Sequence, residues 1–158
     1  IGQHPTESQG KYQVLFLDFS QVSGNIDSLE RNFDFYCSVK LDGFMRRYGE
    51  SYSEETREKV RKAEFAMDKL AFIHDEAAQK GFSLYLIVDE YDNFTNVVLN
   101  EHGEKVYHAI THADGFYRDV FKKFKGNFER IFMMGVSPVT LDDVTSGFNI
   151  GWNISIKP

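Results

Sequence analysis

The chain has 158 residues, 42% of them hydrophobic and 15% aromatic, which is the size of one domain with enough apolar mass for a single core. Eighteen basic against twenty-four acidic side chains give a formal charge of −6 and a pI near 5.3, which argues against a broad footprint on a nucleic-acid backbone. No stretch approaches the ~18 consecutive apolar residues of a membrane span, the start IGQHPTESQGKY has no signal-peptide character, and the lone Cys37 forbids an internal disulfide, so a cytoplasmic protein is expected.

In chain order, residues 1–11 read as a polar, irregular lead-in, and Tyr12 to Asp18, YQVLFLD, as a first buried strand with a polar tip at Asp18 and Ser20. Those two side chains are placed either to face a ligand or to bond nearby backbone groups at the strand exit. Asp27 and Glu30 have capping-box spacing, and Leu29, Phe33, Tyr36, Cys37, Phe44 and Tyr48 then recur at helical intervals up to Gly49. In that stripe Cys37 is read as a small core residue. A second helix is expected from a Ser53 cap to Gly81, with Val60, Ala63, Met67, Leu70, His74 and Ala77 on its inner face. His74 reads as a core or boundary histidine.

Leu84 to Val88 is an apolar run without alternation that meets Asp89 and Glu90, which predicts a strand buried on both faces and ending in two carboxylates. A polar loop is expected over residues 93–103, then a helical region through Val106, Tyr107 and Ile110. Thr111 and Asp114 are candidate caps for a further helix carrying Phe116, Val120, Phe121 and Phe124 inward as far as Gly126. Arg130 to Val136, RIFMMGV, reads as a third buried strand leading to Ser137-Pro138, followed by a short helix near Thr140 to Asp143 and a glycine-broken tail. Long helical crossovers between strands are what parallel pairing requires, so the expected class is α/β with a parallel sheet, in one domain without internal repeats.

Asp89-Glu90 after an apolar strand has the form of a Walker B site. There the first carboxylate holds magnesium through its water shell, and the second takes a proton from the water attacking a γ-phosphate. Asp92, two residues on, is read first as a loop cap. The phosphate cradle GxxxxGK(S/T) occurs nowhere in the chain. His108 and His112 stand four apart, the spacing that puts two imidazoles on one helix face, but no glutamate lies between them. An exposed face is the simpler reading than a zinc site. The basic concentration of Arg118, Lys122, Lys123 and Lys125 interleaves with Phe121 and Phe124 at helical spacing, which describes a solvated face opposite a buried one.

YQVLFLDFS, LYLIVDEYDNF and above all RIFMMGVSPVTLDDVTSGFNIGWNIS resemble the AAA-ATPase-like family of gut Bacteroidetes and Firmicutes. The similarity runs from about His4 onward and is most specific over Gly135 to Asn149. Members typically carry a P-loop segment first, this region next and a PD-(D/E)XK nuclease-like domain last. The resemblance implies a three-layer P-loop NTPase-like fold, of which this chain is a partial, AAA-like central fragment with about three parallel strands. It implies Walker B roles for Asp89 (magnesium, through water) and Glu90, and a sensor-1 role for Ser137 as a residue that orients the lytic water or contacts the γ-phosphate.

The P-loop strand would precede Ile1, and the arginine-bearing region and the nuclease-like domain would follow Pro158. ATP and magnesium are then expected to bind the longer protein, with none bound to this fragment and little or no turnover from it. The strand at Arg130 is expected to have an open edge, covered by the tail Asn149 to Ile156 or by another copy of the chain. Further partners are a protein for which the domain is a non-catalytic scaffold, or a nuclease-like domain that it regulates. A membrane partner is not expected, and this segment offers no support for nucleic acid.

Overall fold

The computed structural model of the protein describes residues 10–22, 24–112 and 115–136. The elements are β1 (Tyr12–Asp18), α1 (Leu29–Tyr48), α2 (Glu54–Lys62), α3 (Ala66–Lys80), β2 (Ser83–Asp89), α4 (Asn93–His102), α5 (Glu104–Thr111), α6 (Phe116–Asn127) and β3 (Arg130–Met133). The three strands form one all-parallel sheet in the order β1-β2-β3. The fold is α/β, as the alternation of apolar runs and helical stripes predicts, and no helix among the described residues is long and apolar enough to cross a membrane.

Register decides which face is which. Leu15, Leu86 and Ile131 form one row across the sheet, and Leu17, Val88 and Met133 another. These residues join the inner faces of the helices in a single core, with Leu17, Leu86 and Val88 fully buried. The opposite face carries Val14, Phe16, Tyr85, Ile87 and Phe132, none of which belongs to that core, and Phe16 is 47% exposed. The expectation of a strand buried on both faces is therefore corrected. The second face of β2 is apolar as the sequence says, but among the described residues helices cover only the first. Likewise β3 is shorter than Arg130 to Val136 and alternates between exposed and half-buried, because it is an edge strand.

The outer edge of β1 is closed by tyrosines. The Tyr36 hydroxyl accepts from the Asp18 amide (2.6 Å) and the Tyr48 hydroxyl from the Val14 amide (3.1 Å), so α1 satisfies backbone donors that an edge strand otherwise leaves open. Burial pushes the Tyr36 phenol up to about 12, so it stays protonated at neutral pH.

Four further expectations change. The helix from Ser53 to Gly81 is two helices. Ser53 does cap α2, its hydroxyl accepting from the Thr56 amide (3.2 Å), but the chain turns extended at Ala63 and Phe65, and α3 starts afresh with the Ala66 amide bonded to Asp34 Oδ1 (2.9 Å). The Asp34 carboxylate supplies the acceptor that a local cap residue would have provided. No Asp27–Glu30 capping box forms at α1, whose N-cap Ser28 makes no side-chain capping bond and turns its hydroxyl to Asn25 instead. Residues 93–102 are the helix α4, in which Phe94, Thr95 and Val98 point into the core. The N-cap of α6 is Gly115, while Thr111 ends α5 with its hydroxyl donating to the Tyr107 carbonyl (2.8 Å); Asp114 lies outside the described residues.

Cys37 is buried and burial pushes its thiol up, in keeping with a core role, and His74 is half-buried. On α6, Tyr117, Phe121 and Phe124 are buried while Lys122, Lys123 and Lys125 are exposed and Lys123 pairs with Asp119 (3.2 Å). The basic concentration is the solvated face of an amphipathic helix.

Candidate functional site

Asp89 is the last residue of the central strand, at the carboxyl end where open parallel sheets place their ligands. It is half-buried, and its Oδ1 accepts the amide of Glu90 (3.0 Å). Glu90 then adopts φ +53°, the sole non-glycine residue with positive φ among the described residues, and it is exposed. The left-handed conformation costs an ordinary side chain on the order of 1 kcal/mol. Such a residue persists only where its surroundings over-determine the backbone.

Those surroundings can be named. Beyond β3, the Met134 amide donates to the Val88 carbonyl (2.8 Å) and the Tyr91 amide to the Met134 carbonyl (3.2 Å), so the end of β3 clasps the chain on both sides of Asp89-Glu90. The Tyr117 hydroxyl donates to the Tyr91 carbonyl. Tyr117 is fully buried and sits in an aromatic cluster with Phe19, Phe33, Phe94 and Phe121, stacking on Phe94 with ring centroids 5.0 Å apart. The tip is thus tied to the rigid core immediately behind it.

Asp92 has a different job from that of a simple loop cap. It is 1% exposed, its carbonyl accepts from the Asn96 amide (2.8 Å) and the Thr95 hydroxyl (3.0 Å) at the start of α4, and its Oδ2 accepts from the Val136 amide (3.0 Å). Gly135 makes this approach feasible, since a Cβ there would fall well inside contact distance of Asp92 Oδ1 and the Tyr91 ring. Asp92 and Gly135 together fasten the exit of β3 to the acidic tip. The sequence signal for this is a carboxylate two residues beyond Asp89-Glu90, followed by apolar residues at helical spacing, Phe94 and Val98. Ser137, one residue past Val136, lies outside the described residues, so the site is described as Asp89 and Glu90 with the chain leading to Ser137 held against Asp92.

The other polar tip behaves as the local reading expects. Asp18 is the register partner of Asp89, yet its Oδ1 accepts from the Ser20 amide (3.0 Å) and hydroxyl (2.6 Å) and its Oδ2 from Gln21 Nε2 (2.8 Å). The Ser20 hydroxyl first, then Gln21, hold its carboxyl below the usual range. Both oxygens serve the turn that follows β1.

The two histidines on α5 and at its end do share a face, but they face each other, Nδ1 to Nδ1 at 3.2 Å, and His108 Nε2 lies 3.3 Å from Glu104. No group of three or more His, Cys, Asp or Glu among the described residues is placed to hold a metal ion. A hard cation held mainly by water and phosphate needs fewer protein ligands than that, and the oxygen-only donor set of Asp89 and Glu90 suits magnesium rather than zinc. No curated protein and no solved structure matches the chain. The family model described as predicted AAA-ATPase matches residues 1–145, and with that match spanning nearly the whole sequence around a central strand ending in Asp89-Glu90, the chain belongs to the AAA-ATPase-like family.

Proposed function

We propose that this chain is the Walker B and sensor-1 part of a magnesium-dependent ATP-binding and ATP-hydrolysing domain, whose phosphate-gripping loop comes from sequence other than these residues. The observation that carries the reading is Glu90 held at φ +53° beside Asp89 at the tip of the central strand. A strained, exposed carboxylate clasped by backbone bonds on both sides serves chemistry better than it serves stability. In this reading Asp89 would hold magnesium. Bound magnesium would neutralise charge on the β- and γ-phosphates. Glu90 takes the proton of the attacking water, and Ser137 contacts the γ-phosphate. The fragment alone is inactive, because nothing in its sequence cradles a triphosphate.

The test is titration of ATP and magnesium into a protein extended upstream of Ile1. Saturable binding that is lost in Asp89→Ala supports the reading, and absence of binding by the extended protein overturns it. A second reading, a non-catalytic scaffold or a regulatory module of a nuclease-like protein, is favoured by the apolar face of the sheet that no helix covers among the described residues, with Phe16 and Phe132 exposed. It predicts that the extended protein binds a protein partner and ignores ATP.

A further inference from the structure

A cavity of about 520 Å³ opens in the helical layer, between α1, the break that separates α2 from α3, and the start of α6. None of Asp18, Asp89, Glu90 or Asp92 lines it. Its volume lies within the roughly 300–1,000 Å³ of small-molecule sites. The lining is mixed, with Phe33, Phe65, Phe116 and Val120 supplying apolar surface beside several charged side chains. Phe65 is 54% exposed. It is held there by the extended backbone (φ −102°, ψ 144°) that starts α3.

The charge around this cavity is one-sided. Among the described residues Glu30, Asp34, Asp68 and Asp119 line it against a single cation, Lys123, whose ammonium is already 3.2 Å from Asp119. Asp34 is fixed in direction, because its Oδ1 accepts the Ala66 amide. Burial holds its carboxyl above the ordinary range, and the neighbouring Asp68 adds to the rise. Lys69, the nearby cation that opposes this, is engaged with Asp42 at 2.7 Å. Half-buried Asp34 and exposed Asp68 thus stand together on the lining, and the cation that acts on Asp34, Lys69, is itself held by Asp42.

We propose that this cavity binds a small amphipathic organic cation, a guanidinium or amine head on a flat apolar body. The body packs against Phe65 and Phe116, where ring faces also favour a cation, and the head reaches Asp34 and Asp68. This site is separate from the acidic strand tip and does not depend on the ATPase reading.

The experiment is titration of benzamidine into the ¹⁵N-labelled 158-residue chain, followed by amide NMR. Benzamide, its uncharged isostere, is titrated in parallel. Saturable shifts centred on Ala66 and Phe116, with benzamidine at least about tenfold tighter than benzamide, are expected. Asp34→Asn with Asp68→Asn keeps an acceptor for the Ala66 amide and should reduce benzamidine to the affinity of benzamide. Asp89→Ala should leave binding unchanged. Equal binding of the two compounds, no saturable shifts at Ala66 and Phe116, or loss of binding in Asp89→Ala overturns the proposal. The comparison of charged and neutral probes on the unmodified chain decides the matter even if the double variant fails to fold.

Discussion

Strands β1 and β2 end at the same level of the sheet, each in an aspartate, and Asp18 and Asp89 are register partners. At β1 the carboxylate is used locally, with both oxygens taken by Ser20 and Gln21 and the chain passing into a 3₁₀ turn. At β2 the carboxylate accepts the amide of the next residue, and that residue is forced into a left-handed conformation that a glycine would adopt more cheaply. The same side chain in the same sheet position therefore builds a turn in one strand and leaves a strained acidic tip in the other. What separates them is the clasp: beyond its pairing with β2, the tip of β1 is held by Tyr36 of α1, whereas the chain after β2 is gripped by the exit of β3, by Asp92 and by Tyr117.

The comparison breaks first at function. In an upstream-extended protein Glu90→Gln should lower ATP turnover by about a hundredfold or more, while Asp18→Asn leaves it within a factor of about two; equal losses in a steady-state ATPase assay would erase the distinction between the tips. The clasp is tested by Gly135→Ala, which drives a methyl group into Asp92 and Tyr91 and should cost about 2 kcal/mol of unfolding free energy in urea.

Asp18 has a depressed carboxyl, so its contribution is fully present above the unfolded value near 3.8 and is lost as pH falls below that through the lower folded value. Asp18→Asn should cost about 1 kcal/mol at pH 7 and flatten the loss of stability below pH 4, read from urea midpoints against pH. The smallest effect has the opposite sign. Glu90→Gly should stabilise the chain by about 0.5–1 kcal/mol, and a loss of stability instead would show that the left-handed turn is not strained.

Strands, parallel order and the acidic tip were legible in the sequence because apolar runs and their polar ends are local patterns. Leu84 to Asp89 needs no knowledge of its neighbours to read as a strand with a carboxylate end. What escaped was set by contacts distant in sequence. The break between α2 and α3 depends on Asp34, thirty-two residues before Ala66. The role of Asp92 depends on Val136, forty-four residues later. Residues 93–102 look polar enough for a loop, yet Phe94 and Val98 turn one face inward and the tertiary core makes them a helix. The strain at Glu90 has no sequence signature, since nothing distinguishes a glutamate that will be held at positive φ from one that will not.

The tyrosine hydroxyls of α1 have a consequence for how the sheet can grow. With the Val14 and Asp18 amides already bonded to Tyr48 and Tyr36, two donors of the β1 edge are closed to an incoming strand, which biases growth by backbone pairing toward the β3 side of the described sheet. In assembly terms the described sheet has unequal edges, and α1 works against the edge-to-edge stacking that would build a fibre.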